Sequence, residues 1–232
     1  MNQQSMNHQK IESHLKEFSS KEFLSLWLAA QAILLYRDFN VSARIIFDEA
    51  CKMTGATSGY VALLSDTGEE NEVLFLESGG KPCTVDPELP MPIRGLRAES
   101  YHSGKAVYEN NFMKSQWIKF MPKGHVILNN VMFSPLNIDG KTVGIMGLAN
   151  KKIDFTEKDA TVATAFGEIA AIALKNSRVM GELKETINKL EEFNETLVER
   201  EMRIIEMKME VNALCQELGK TAPYPAIWEE EE

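Results

Sequence analysis

Apolar positions recur along this chain with three different spacings, and each predicts a different kind of element. Ile11, Leu15 and Phe18 stand four and three apart, which predicts a helix from about Lys10. Ser19-Ser20 then cap a second helix over Lys21 to Tyr36. Its Phe23, Leu24, Trp27, Leu28, Ile33, Leu34 and Leu35 make a broad apolar surface, to be covered by a partner helix or by the chain's own domain. Asn40 or Ser42 is placed to cap a helix reaching Thr54, with Ala43, Ile46, Phe47, Ala50 and Cys51 inward. Strands are expected at Tyr60 to Ser65 and Glu72 to Ser78, joined by the turn Asp66 to Glu69.

The middle third loses periodicity. Gly79 to Pro92 holds two glycines and four prolines, which block ladder pairing and impose irregular backbone. A short helix over Leu96 to Gly104, a short strand at Ala106 to Tyr108, and an aromatic stretch from Phe112 to Phe120 follow. Alternation returns in Val131 to Ile138 and Thr142 to Leu148, two runs around Asp139-Gly140, the dipeptide of a tight hairpin. Gly144 and Gly147 lie inside the second run, where glycine marks close approach of a backbone, a helix or a ligand. Thr156 with Asp159 three residues on resembles a capping box, and Phe155 is set to act as its hydrophobic staple.

From Leu183 a four-three alternation runs through Ile187, Leu190, Asn194, Leu197, Glu201, Ile204, Lys208, Val211, Cys215 and Leu218. Seven of these eleven positions are apolar, which predicts a coiled coil with polar interruptions, Asn194 being a register device. The 36 residues make a rod on the order of 50 Å, and so long a stripe is most simply covered by a second copy. Lys220 to Glu232 is expected to form an extended acidic tail.

Composition narrows the function. No run approaches 18 consecutive apolar residues, so no membrane span is expected, and the N-terminus lacks the pattern of a secretory signal. Cytoplasmic location is the expectation. The net charge of −9 argues against nucleic-acid binding. From Gly181 on, six basic and fourteen acidic residues supply −8 of it, so the preceding part is nearly neutral. Cys51, Cys83 and Cys215 are far apart, without CxxC, and read as free thiols.

The strand ending in Ser134-Pro135-Leu136, the Asp139-Gly140 turn, the glycine-bearing strand and the helix opened by Thr156-Glu157-Lys158-Asp159 together resemble the GAF family of sensory modules. The resemblance covers roughly Val41 to Asn176. It implies an α+β fold, three-layer α/β/α-like, with an antiparallel sheet of about six strands flanked by helices. The organisation expected is an N-terminal helical segment (1–38), a GAF-like sensory domain (39–180), a coiled-coil helix (181–219) and an acidic tail (220–232). Asn150, Lys151, Phe155 and Asp159 match the Asn-Lys-x-x-x-Phe-x-x-x-Asp stretch of the family's cyclic-nucleotide members, but they read as structural, turning a strand into a capped helix.

No HExxH, phosphate loop or nucleophile elbow occurs, so no enzymatic activity is expected. Gly79-Gly80-Lys81 is too short to hold a nucleotide by itself. The family's methionine-sulfoxide-reducing relatives depend on clustered cysteines, and only Cys83 falls in the pocket region. The resemblance makes the irregular middle region a pocket wall, with Cys83, Tyr101, His102, Tyr108, Trp117, Phe120, His125, Met132 and Phe133 as candidate ligand contacts. A haem needs an apolar slot and one axial His, Cys, Met or Tyr, which this set contains. A cyclic nucleotide, a metabolite and a pocket filled by side chains stay open, and the cofactor is unknown. The expected role is to couple a pocket ligand or redox state to a dimeric bundle of the N- and C-terminal helices, with a histidine kinase or other signalling partner. The alternative is a non-catalytic dimerisation or adaptor module with a closed pocket.

Overall fold

The computed structural model describes residues 20–86 and 89–225, so the helix expected from Lys10 lies outside the described residues. Helices α1 (Ser20–Leu35) and α2 (Phe39–Thr54) precede strands β1 (Ser58–Leu64) and β2 (Asn71–Glu77). Helix α3 (Leu96–Ser103), strand β3 (Val107–Glu109) and 3-10 turns at Phe112–Lys114 and Gln116–Phe120 follow. Strands β4 (Val131–Ile138) and β5 (Lys141–Ala149) then lead into α4 (Glu157–Glu217). The chain divides into two compact units, Met1–Arg178 and Val179–Glu232.

In the first unit the strands form one antiparallel sheet in the order β2-β1-β5-β4-β3. Among the described residues it has five strands where about six were expected. Among the described residues, the proline-dense stretch between β2 and α3 joins it only through a bridge between Glu70 and Pro92, because proline lacks the amide that a ladder needs.

Local chemistry sets the ends of these elements. Asp38, not Asn40 or Ser42, caps α2: its Oδ1 accepts from the Asn40 amide at 2.7 Å. Ser42 lies one turn inside, where its hydroxyl bonds back to the Phe39 carbonyl at 3.1 Å. The β4–β5 hairpin turns on Asp139 (φ 51°) and Gly140 (φ 79°), the two positive φ values of a type I′ turn. At the start of α4, Asp159 Oδ2 accepts from the Thr156 amide at 2.8 Å and the Thr156 hydroxyl accepts from the Asp159 amide at 3.3 Å. The capping box is therefore formed, with Phe155 buried beside it.

The sheet buries both faces. On one, α2 contributes Ala43, Ile46, Phe47 and Ala50, and α4 contributes Val162, Ala163, Phe166 and Ala170. They pack on Val61, Met132, Leu136, Met146 and Leu148. Each of the larger side chains here is worth roughly 1.5–3 kcal/mol in area removed from water. Gly167 brings α4 onto β4: a Cβ there would stand 2.6 Å from the Pro135 carbonyl oxygen. The Ser134 hydroxyl donates to the Ala163 carbonyl at 2.8 Å across the same contact. On the other face, Tyr60, Ala62, Phe133 and Ile145 lie with Leu96 and Phe112.

In the second unit α4 continues without a buried residue, its last being Leu174. Leu183, Ile187, Leu190 and Leu197 are exposed along the expected seam. The tail up to Pro225 is not extended. It turns back so that Asn212 accepts from the Tyr224 amide at 3.1 Å and donates to its carbonyl at 3.0 Å. Residues 226–232, including Trp228, lie outside the described residues.

Candidate functional site

A pocket of about 430 Å³ lies on the sheet face away from α4, within the size range of small-molecule sites. Its floor is Tyr60 of β1, Phe133 of β4 and Gly147 of β5. Glycine at 147 is what lets the aromatic floor close up: a Cβ there would stand 2.8 Å from the Tyr60 ring and 3.2 Å from the Phe133 ring. One wall is the start of α3, Leu96 and Arg97, and another is the 3-10 turn carrying Trp117 and Phe120. Those two rings stack at 6.5 Å, and the Arg94 guanidinium stands 5.7 Å from the Phe120 ring centre. Pro90 and Pro92 hold the remaining side as irregular loop.

Of the residues expected from sequence, Cys83, Trp117, Phe120, His125 and Phe133 line this pocket. His102, Tyr108 and Met132 do not. His102 is exposed on the outer side of α3, and the Tyr108 hydroxyl donates to Glu157 at 3.0 Å. Met132 is wholly buried on the opposite face, packed with α2 and α4. Successive strand residues face opposite ways, so Phe133 at the pocket sends Met132 to the other side. Tyr101 packs beside the pocket cluster and donates to Asn71 Oδ1. His125 Nδ1 bonds the Val126 carbonyl at 2.8 Å.

Sequence reading missed Tyr60 and Arg97. Tyr60 was detectable, because alternation along β1 puts it opposite Val61, a core residue. Nothing in the sequence separates Arg97 from the other charged residues of a short helix. The two are the chemically distinctive part of the site. Tyr60 Oη, Arg97 Nη1 and Asn71 Nδ2 are buried without a hydrogen-bond partner. Burial raises the Tyr60 phenol pKa, and the neighbouring Arg97 charge works in the opposite sense. Burial also raises Tyr101, with Tyr60 adding to it and Arg97 opposing it, so Tyr60, Arg97 and Tyr101 sense one another. The Arg97 guanidinium lies beside the Tyr60 hydroxyl, and no described carboxylate forms an ion pair with it.

The cysteines stay apart. Cys83 alone lines the pocket, Cys51 is on α2, and Cys215 is in the second unit. Burial, then Asp48, pushes the Cys51 thiol up to about 12. Among the described residues no group of His, Cys, Asp and Glu could hold a metal ion, and no helix is long and apolar enough to cross a membrane. Asn150, Lys151, Phe155 and Asp159 build the crossover from β5 to α4. Asn150 has φ 58° and its side chain donates to Ser58 and to the Ile127 carbonyl, while Lys151 pairs with Asp159 at 2.6 Å.

Comparison with known proteins agrees with this architecture. The fold is similar to the GAF domain of a phosphoenolpyruvate-protein phosphotransferase from Coxiella burnetii, with TM-score 0.60 and 13% identity, covering 71% of this chain and 99% of that one. It is also similar to free methionine-R-sulfoxide reductase from Neisseria meningitidis, solved with its substrate, with TM-score 0.57 and 16% identity over 71% of this chain and 96% of that one. At such identities the likeness is one of fold. A methyl sulfide methyltransferase-associated sensor from Methanosarcina acetivorans is 29% identical over 124 residues, 50% of this chain but 12% of that protein. The family profile described as GAF domain matches residues 37–175, more than half of the chain, and the chain belongs to the GAF domain family.

Proposed function

We propose that this chain is a sensory module in which a small molecule in the pocket sets the state of a homodimeric helical bundle, read by a signalling partner such as a histidine kinase. The observation that carries this reading is the double role of β4. Phe133 faces the pocket, and the next residue, Ser134, donates to α4. A ligand that moves the floor of the pocket therefore moves the strand on which α4 is seated, and α4 runs on to Glu217. The exposed apolar residues of α1 and of the 183–218 seam supply the surfaces for pairing. The 430 Å³ cavity favours binding over an adaptor with a closed pocket.

Light scattering on the eluting full chain tests the bundle: a dimer is expected, and Leu190→Asp with Leu197→Asp is expected to give a folded monomer. A wild-type monomer at tens of micromolar would sink the bundle. An absorption spectrum of protein made with haem supplied tests the ligand class, since Cys83 and His125 in the pocket are axial-type side chains. A Soret band lost in Cys83→Ser or His125→Ala would make the ligand haem. A featureless spectrum leaves a small organic molecule.

A further inference from the structure

The unmet groups around the start of α3 are chiefly donors. Arg97 Nη1 and Asn71 Nδ2 are donors only, and the Tyr60 hydroxyl carries a donor of its own. Asn71 Oδ1 accepts from Tyr101, and its Nδ2 hydrogens are left unmet. A buried donor left unmet is costly, and a cation without a partner is more so. Tyr60 and Arg97 lie within electrostatic reach of each other and of Tyr101, which links them to Asn71, so donors predominate around Arg97. The helix start beside them adds to it: α3 begins after Gly95 with no side chain capping its first turn, which leaves amide hydrogens at its positive end. Gly95, Leu96, Arg97 and Tyr60 all line the pocket, and Tyr60 is only 9% exposed. Elsewhere Trp117, Phe120, Phe133, Leu96 and Met121 give apolar walls, and the lining also carries Arg94, Asp86 and Glu77, the last paired with Arg44.

We propose that the pocket takes a small organic carboxylate with an apolar body, its carboxylate oxygens accepting from Arg97, the Tyr60 hydroxyl and the first turn of α3. This rests on reading the pocket as a ligand site. A planar carboxylate matches the guanidinium fork, and the aromatic walls cover the body. Arg97 is then a residue kept for ligand at the expense of the free protein's stability.

The test is thermal unfolding and calorimetric titration of the full chain with four probes: phenylacetate, hexanoate, phenylacetamide and inorganic phosphate. The acids are expected to raise Tm and to bind at least about tenfold more tightly than the amide, the worth of one charge-assisted pair. Arg97→Met is expected to abolish that preference and to raise the Tm of the free protein by roughly 2–4 °C. Tyr60→Phe, which keeps the ring, is expected to weaken phenylacetate several-fold with the fold unchanged. Amide binding equal to acid overturns the anion proposal and leaves the pocket reading standing. Phosphate binding as tightly as phenylacetate overturns the apolar-body part. A lower Tm in Arg97→Met, with acid preference intact, makes the arginine structural and overturns the assignment. No response to any probe, acid or neutral, overturns the pocket reading together with the proposal.

Discussion

Single side chains decide how tightly the sheet closes. Gly147→Ala places a methyl 2.8 Å from the Tyr60 ring. It is expected to lower stability by about 1–3 kcal/mol, read as a lower urea midpoint at unchanged slope. Asp159 serves the Thr156 cap and Lys151 together, and both members of that ion pair are nearly buried. Asp159→Ala is therefore expected to cost more than an exposed cap, about 3 kcal/mol in the same measurement. Cys51 gives a chemical readout. With its thiol pushed up to about 12 by burial, it is expected to be the slowest of the three cysteines to react with iodoacetamide at pH 8. The hydrogen bond from Arg44, then that from the Gly79 amide, lowers the Glu77 carboxyl. Its contribution is present above the ordinary carboxylate range and is lost as pH falls through the lowered value. The Tm gap between wild type and Glu77→Gln is expected to be small at pH 6 and to close as the pH falls through and below the ordinary carboxylate range.

At the scale of elements, α4 changes character along its length. Up to Leu174 it is held by the sheet, through alanines, Phe166 and Gly167 that allow close approach. Beyond Val179 the seam residues Leu183, Ile187, Leu190, Leu197, Val211 and Leu218 are exposed at the heptad spacing, while Ile204 is half-buried. Ser134→Ala removes the only side-chain hydrogen bond between β4 and α4 among the described residues. It is expected to cost about 1 kcal/mol, measured as an earlier thermal transition, and, under the proposed coupling, to weaken the effect of pocket substitutions on self-association. Much of this was legible beforehand. The hairpin, the capping box and the seam are local or periodic features, and their residues carry the pattern in consecutive positions. The cap of α2 was misread by a few residues because Asp38, Asn40 and Ser42 are all competent, and only backbone geometry chooses among them.

At the scale of the whole molecule, the pocket is assembled from segments distant in sequence. β1, β4, β5, the start of α3 and the proline-rich loop meet on one face of the sheet. The expected site residues therefore divided. Cys83, Trp117, Phe120, His125 and Phe133 line the pocket, whereas His102, Tyr108 and Met132 lie elsewhere. Which aromatic faces a ligand depends on strand parity and helix rotation, and composition carries neither. The seam prediction also belongs here: the Leu190→Asp, Leu197→Asp chain is expected to lose self-association while its Tyr60 and Arg97 surroundings still bind the same probe.

By itself the sequence determined the order of elements, the hairpin turn, the capped helix, the exposed heptad stripe and the family, because each depends on residues close together in the chain. Tertiary structure decided that the sheet of the described residues has five strands, since the proline-dense segment meets its edge at a single bridge and otherwise walls the pocket. It also decided that Tyr60 and Arg97 meet at the pocket, with Tyr101 linking them to Asn71 in a donor-rich corner. That corner exists only once β1, β2 and α3 are packed, and charge buried by packing has no signature in a linear sequence.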